Sequence, residues 1–276
     1  MPELPEVETV ARGMNQVLVG NKISAIKFYR DNLRTNIPKK ELKKILVEQK
    51  VVSVFRRSKY ILIETNIGNA ILHLGMTGNV LCFSSKEPKI KHTHFVIEVN
   101  GVEGSRFLHY VDPRRFGLID VYFGSDWSKH KLLVSLGPEP LESPRLSQHL
   151  YEKSRQCNVP IKSFLMNAGN VVGVGNIYAC ESLFMAGIDP RLPSKNLDLK
   201  SFQKIAKSIK KTLKAAIKAG GTTLKDYKNL KGDQGYFAID LKVYGRSQKP
   251  CVQCGNDIET VRLAGRSTFF CAFCQK

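Results

Sequence analysis

Apolar positions in residues 5–18, PEVETVARGMNQVL, recur at Val7, Val10, Met14 and Val17/Leu18. That 3.6-residue period predicts an amphipathic helix. Pro5 suits its first turn, and Gly20 lies beyond its end. From about residue 22 to 137 the pattern changes to short β-rich runs: KISAIKFY, VVSVF, YILIET, AILHL, HFVIEV, RFLHYV and LIDVYF. Turn residues in TNIGN, MTGN and VNGVEG separate them. About seven strands at this spacing predict a sandwich or barrel, interrupted by one helical stretch, PKKELKKILVEQ. SLGPEPLESP (135–144) has the Pro, Gly and Ser content of a linker. After it the chain turns helical. SFQKIAKSIKKTLKAAIKAGG sets Phe202, Ile205, Ile209, Leu213 and Ile217 on one face and most of its lysines off it. Taken alone, it is a surface helix with solvated lysines. The segment from about 240 is small, and the chain has no internal repeats.

Charge adds a partner to this picture. The 276 residues hold 43 Lys+Arg against 24 Asp+Glu, a formal charge of +19, with 42% hydrophobic residues. Such a chain folds rather than remaining a basic tail, and its charge calls for a polyanion: nucleic acid first, an anionic membrane surface second. The opening residues carry acid where a signal peptide carries base. No apolar run approaches the roughly 18 residues of a membrane-spanning helix. The expectation is a soluble, cytoplasmic monomer.

Of seven cysteines, Cys82, Cys157 and Cys180 stand singly. The odd count without a signal peptide argues for reduced thiols. The others form two C-x2-C knuckles, Cys251/Cys254 and Cys271/Cys274, sixteen residues apart, the spacing of a zinc site. Four thiolates suit tetrahedral zinc and leave no position for substrate, so one structural zinc ion is expected, folding a segment too small for its own core. Between the knuckles, LAGRSTFF reads as a β-hairpin with Arg266 at its tip. That arginine is either a probe for phosphate or a solvated charge.

Other stretches leave two readings each. Lys59, in RRSKY, is an edge charge or a group aimed into a cleft. HLGMTG (73–78) and DPRRFG (112–117) read as tight loops with Met76 and Phe116 at their tips and Arg114 beside Phe116. Those apolar side chains either fold back on the core or serve as a wedge between DNA base steps, with the arginine pairing the orphaned base. In VVGVGNIY a Gly-rich turn enters a helix with Asn176 as its N-cap, either a plain helix start or a phosphate seat. It lacks the third glycine of a dinucleotide fingerprint.

Taken together, PELPEVETVARG, RRSKY, HLGMTG, KHTHF, DPRRFG, LGPEPL, VVGVGNIYACESLF, AGGTTLKDY, GYF, VYGR and the cysteine box resemble the bacterial formamidopyrimidine-DNA glycosylase (Fpg, or MutM) family, in its order and across essentially the whole chain. The resemblance implies an α+β protein. An N-terminal helix and two-layer β-sandwich would fill 1–137, and a linker 138–145. A helix–two-turn–helix domain would fill 146–239, and a β-hairpin zinc finger 240–276.

It also implies a base-excision repair enzyme on double-stranded DNA that removes oxidised purines, chiefly 8-oxoguanine and formamidopyrimidines, and cuts at the resulting abasic site. The nucleophile would be the amine of Pro2 once Met1 is removed. Glu3 would be the general acid/base, Glu6 would seat the N-terminus, and Lys59 and Arg266 would assist the eliminations. Met76, Arg114 and Phe116 would fill the gap left by an everted base, and His92, Lys162 and Asn176 would hold the DNA backbone. TTLKDYKNLKGDQGYF would close over the lesion. One departure stands out: Cys157 and Asn158 occupy positions where the family often carries basic residues. Two other readings compete: the sister activity on oxidised pyrimidines, and a catalytically silent zinc-containing DNA-binding protein.

Overall fold

A computed structural model describes residues 2–85, 90–101, 104–220 and 241–276. The chain divides into two compact units. One is built on the residues up to Val134, the other on Ser135–Ala219 together with the C-terminal segment.

The first unit opens with helix α1 (Leu4–Leu18), whose Leu4, Val7, Val10, Ala11, Met14 and Leu18 are all buried. Eight antiparallel strands follow: β1 (Lys22–Phe28), β2 (Val51–Arg57), β3 (Tyr60–Thr65), β4 (Gly68–His73), β5 (Asn79–Phe83), β6 (Thr93–Gly101), β7 (Gly104–Val111) and β8 (Leu118–Phe123). They form two four-stranded sheets, ordered β1-β6-β7-β5 and β2-β3-β4-β8. Ile61, Ile63, Leu72 and Ile119 from one sheet share a core with Phe95, Ile97, Leu108 and Tyr110 from the other, closed by α1 and by helix α2 (Lys39–Leu46). Each such side chain contributes about 1.5–3 kcal/mol of burial, so the sandwich has ample means to hold its connecting loops still. The strand pattern in the sequence predicts seven strands. The eighth, β5, is a five-residue edge strand paired with β7 and shows no alternation: its first two residues are buried and the rest half-buried.

The second unit contains helices α3 (Leu146–Ser154), α4 (Ile161–Met166), α5 (Asn176–Ala186) and α6 (Leu199–Lys218). Asp198 caps α6 by accepting the Ser201 N–H at 2.8 Å. Gly187, with φ of 69°, closes α5 in the left-handed conformation that glycine adopts without penalty. Strands β9 (Glu259–Leu263) and β10 (Arg266–Phe270) form a hairpin through Ala264 and Gly265, both at positive φ. The hairpin's own core is small: Cys251, Ile258 and Cys271 with Cys180 and Phe184 of α5 and Val243. No helix among the described residues is long and apolar enough to cross a membrane.

Candidate functional site: an anchored N-terminus, paired loops and a cysteine-bound hairpin

Pro2 is buried directly ahead of α1. Glu3 is the N-cap and Glu6 the third helical residue, and the two form a capping box. The Glu6 carboxylate accepts the Glu3 N–H at 2.8 Å, while the Glu3 carboxylate accepts the N–H of Glu6. Both carboxylates are 1% exposed. Two carboxylates at the positive end of a helix dipole hold the chain end that would otherwise fray.

The Lys59 turn is tied to the same helix. Ser58 and Lys59 form the two-residue connection between β2 and β3, with Ser58 buried at φ 57° and Lys59 half-buried. The side chain of Arg56 is 4% exposed. It meets Glu8 of α1 at 2.9 Å and donates to the Ser58 carbonyl at 3.0 Å. One guanidinium thus joins the first helix to the turn that presents Lys59. Arg34 and His73 lie beside that turn. Burial, reinforced by the positive charges of Arg34 and Lys59, pushes His73 down to about 4. Its neutral Nδ1 accepts the Gly75 N–H at 2.9 Å.

Met76 and Phe116 sit on neighbouring loops and are 37% and 42% exposed, so neither folds back into the core. The Arg114 guanidinium lies over the Phe116 ring, 4.6 Å from its centre. The loops pack backbone against backbone. A Cβ on Gly75 would lie 2.4 Å from the Gly117 nitrogen. His92 is exposed at φ 67°, and its carbonyl accepts the Asp112 N–H at 3.1 Å.

In the second unit, Lys162 and Asn176 both reach the hairpin. The Lys162 ammonium donates to the Ser267 carbonyl at 3.1 Å and to the Thr268 hydroxyl at 2.7 Å, and the residue is 1% exposed. The Asn176 side-chain amide donates to the same Ser267 carbonyl at 3.0 Å. Asn176 is the first residue of α5, and Gly175 is the cap, which corrects the sequence expectation that Asn176 caps the helix. The backbone bends one residue earlier, which leaves the asparagine side chain for the hairpin. Arg266 is exposed and pairs with Leu263 as the first residue of β10, one position past the Ala264–Gly265 turn and not at the tip where the sequence places it.

Three family models cover the chain: the formamidopyrimidine-DNA glycosylase N-terminal domain over residues 1–119, its H2TH domain over 136–228, and the zinc finger found in FPG and IleRS over 248–276. A formamidopyrimidine-DNA glycosylase of Ruthia magnifica is 46% identical over 275 residues and spans the full length of both chains. The chain belongs to the formamidopyrimidine-DNA glycosylase family. Among solved structures, a complex of the Lactococcus lactis Fpg (MutM) with DNA containing N7-benzyl-Fapy-dG matches at TM-score 0.88 and 32% identity, with both chains fully covered. The Lactococcus lactis Fpg bound to DNA with an abasic site matches at 0.88 and 31%, and MutM bound to DNA containing carbocyclic 8-oxo-G at 0.87 and 32%, again over the full chains.

The cysteines of this formamidopyrimidine-DNA glycosylase family member fit the ion that its finger model implies. The four sulfurs of Cys251, Cys254, Cys271 and Cys274 all lie within 4.8 Å of one another, with pairs at 3.9 and 3.5 Å. Tetrahedral zinc with Zn–S bonds of about 2.3 Å sets its sulfurs about 3.8 Å apart. The four cysteines are positioned to bind one zinc ion. Burial opposes ionisation of Cys254, yet hydrogen bonds from the backbone and side chain of Asn256 pull its thiol down to about 6.

Three groups went unseen in the sequence. Asp112 and Thr77, between the two loops, look like ordinary turn residues there. Glu181, 6% exposed on α5, accepts the backbone N–H groups of Lys242, Val243 and Tyr244 at 2.8–3.0 Å and so anchors the entry to the finger. An acid among SLF inside an apolar helix is the one available signal for it. The departure at Cys157 and Asn158 has a structural counterpart. The neighbouring Arg155, itself exposed, stacks on Tyr151 and donates to the Leu197 carbonyl at 2.6 Å. The expected lesion-closing stretch, 222–237, lies outside the described residues.

Proposed function

We propose that the chain is a bifunctional DNA glycosylase and abasic-site lyase of base excision repair, working in the cytoplasm on duplex DNA that carries oxidised purines. The observation that carries this reading is Pro2 seated directly ahead of the buried Glu3–Glu6 box. Once Met1 is removed, the Pro2 nitrogen is a secondary amine. It attacks the sugar carbon bearing the damaged base, the bond to that base breaks, and Glu3 manages the proton transfers. The resulting iminium has no N–H to lose and keeps its positive charge. That charge acidifies the next sugar position, so β-elimination and then δ-elimination expel the flanking phosphates. Lys59, held by the Arg56–Glu8 bridge, assists the first elimination, and Arg266 clamps phosphate and assists the later one.

The target bond is hidden in the base stack and requires eversion of the nucleotide. Met76, Arg114 and Phe116 fill the vacated space, consistent with their exposure and with the arginine stacked on the ring. His92 and Asn176 hold the backbone. Lys162 acts at one remove, since its buried ammonium is spent on the hairpin carrying Arg266. Zinc, bound by the four cysteines, stiffens that hairpin and takes no chemical step.

Borohydride reduction in the presence of abasic DNA tests the mechanism, and an adduct mapped to Pro2 is the expected result. An adduct on a lysine, or none, overturns it. Parallel excision assays on 8-oxoguanine and on oxidised pyrimidines decide the substrate class, with the purine released faster.

A further inference from the structure

Between the two exposed loops lies a carboxylate with no part in the chemistry above. Asp112 is 0% exposed. One of its oxygens accepts the Thr77 hydroxyl at 2.6 Å. The other accepts the Gly117 N–H at 2.8 Å and faces the Tyr110 hydroxyl at 3.3 Å. Thr77 belongs to the Met76 loop, while Gly117 follows Phe116 directly. The Thr77 oxygen also accepts the backbone N–H of Arg114 at 3.3 Å, so one hydroxyl bridges both loops beneath the arginine. The Asp112 main chain is engaged as well. Its carbonyl accepts the His94 imidazole N–H at 2.7 Å, and its N–H donates to the carbonyl of His92.

Three glycines let the groups come this close. A Cβ on Gly117 would lie 1.7 Å from the Tyr110 hydroxyl, and one on Gly78 would lie 2.1 Å from the Leu74 carbonyl oxygen. The Gly75 contact already described completes the set.

We propose that the Asp112 carboxylate and the Thr77 hydroxyl are positioning groups that fasten the Met76 loop to the Arg114–Phe116 loop, so that the three side chains enter duplex DNA as one preset body. The proposal rests on the wedge role assigned to those side chains under the proposed function. The physical argument concerns when the ordering cost falls. Two separate loops would be immobilised on the DNA at each encounter, which weakens productive binding. Loops cross-tied by hydrogen bonds within the protein meet that cost once, during folding. The Asp112 carboxylate is wholly covered, so loss of its bonds changes the placement of the wedge without removing a group that enters the stack.

The test uses the full-length zinc-loaded protein and two substrates. Duplex DNA containing 8-oxoguanine requires the wedge, whereas a single-stranded oligonucleotide with an abasic site, trapped by borohydride, has no stack to open. Thr77→Val keeps the side-chain shape but removes the hydroxyl from one Asp112 oxygen and from the Arg114 N–H, a loss expected to slow single-turnover duplex excision about tenfold or more. Single-strand trapping should stay within about twofold of the parent. Thr77→Ser, which retains the hydroxyl, should restore duplex excision, and Asp112→Asn should behave like Thr77→Val. If Asp112→Asn does not fold, the Thr77 pair decides. Unchanged duplex excision in Thr77→Val overturns the proposal, and so does an equal loss on both substrates. A parent protein that fails to trap abasic DNA condemns the proposed function instead.

Discussion

The two ends of this chain are both pinned, by opposite means. At the N-terminus, α1 buries an apolar face against a large sandwich core, and two carboxylates and one half-buried ion pair finish the task. At the C-terminus the hairpin shares only a few apolar residues with α5 and Val243, and its hold comes from four cysteines, the Lys162 ammonium and the Glu181 carboxylate. Where a core is available, weak polar contacts suffice to hold a chain end. Where it is not, metal–ligand bonds and buried charges take over.

Removing the metal should produce the largest effect. Chelation, or Cys271→Ser, is expected to unfold the hairpin and abolish tight duplex binding, because structural zinc carries about 10–16 kcal/mol of folding free energy. Calorimetry should then show the sandwich still melting cooperatively; simultaneous collapse of both units would break the contrast.

Acid probes the sandwich side. Unfolded His73 takes a proton near its ordinary value of 6.5, but the folded residue does so only near 4. Between those values the unfolded state holds more protons, so stability present above pH 6.5 is lost as the pH falls toward 4. This linkage is worth at most about 3 kcal/mol. Melting curves of parent and His73→Gln at pH 7.5 and 4.5 should show a smaller acid loss in the variant.

Arg56→Met is next. It leaves Glu8 with Arg12 as its remaining ion-pair partner, so the cost should be about 2 kcal/mol, below that of a fully isolated buried charge. Urea denaturation measures the cost, and borohydride trapping should slow through misplacement of Lys59. The smallest effect belongs to Glu6→Ala, about 1 kcal/mol for half of a capping box, read from the same denaturation curves. A larger stability loss than for Arg56→Met would reverse the ranking.

Most of the architecture was legible because it depends on period and spacing. The α1 period, the strand alternation and the C-x2-C knuckles each encode a local geometry directly. β5 escaped because five residues at a sheet edge, three of them partly exposed, carry no period. Motif alone assigns Lys162 and Asn176 to DNA. Their reach to Ser267, more than 90 positions away, depends on a fold-back that local pattern does not encode. Asp112 was hidden for a related reason: nothing in DPRRFG tells a turn aspartate bonded to its own loop from one bonded to the next. Met76 and Phe116, by contrast, stand out in sequence as apolar residues on short glycine-bounded loops, and the structure decides for exposure over folding back on the core.

Helix α6 responds to ionic strength in its own way. Its twenty residues contain seven lysines and no acid, and Lys200, Lys204, Lys207, Lys211, Lys214 and Lys218 succeed one another at three- or four-residue steps. Like charges at those steps repel along the helix surface. Added salt screens that repulsion and steadies the helix. The same salt weakens any grip on DNA phosphates by reducing the gain from counterion release. The helical unit should therefore become more stable under the conditions in which the protein lets go of DNA.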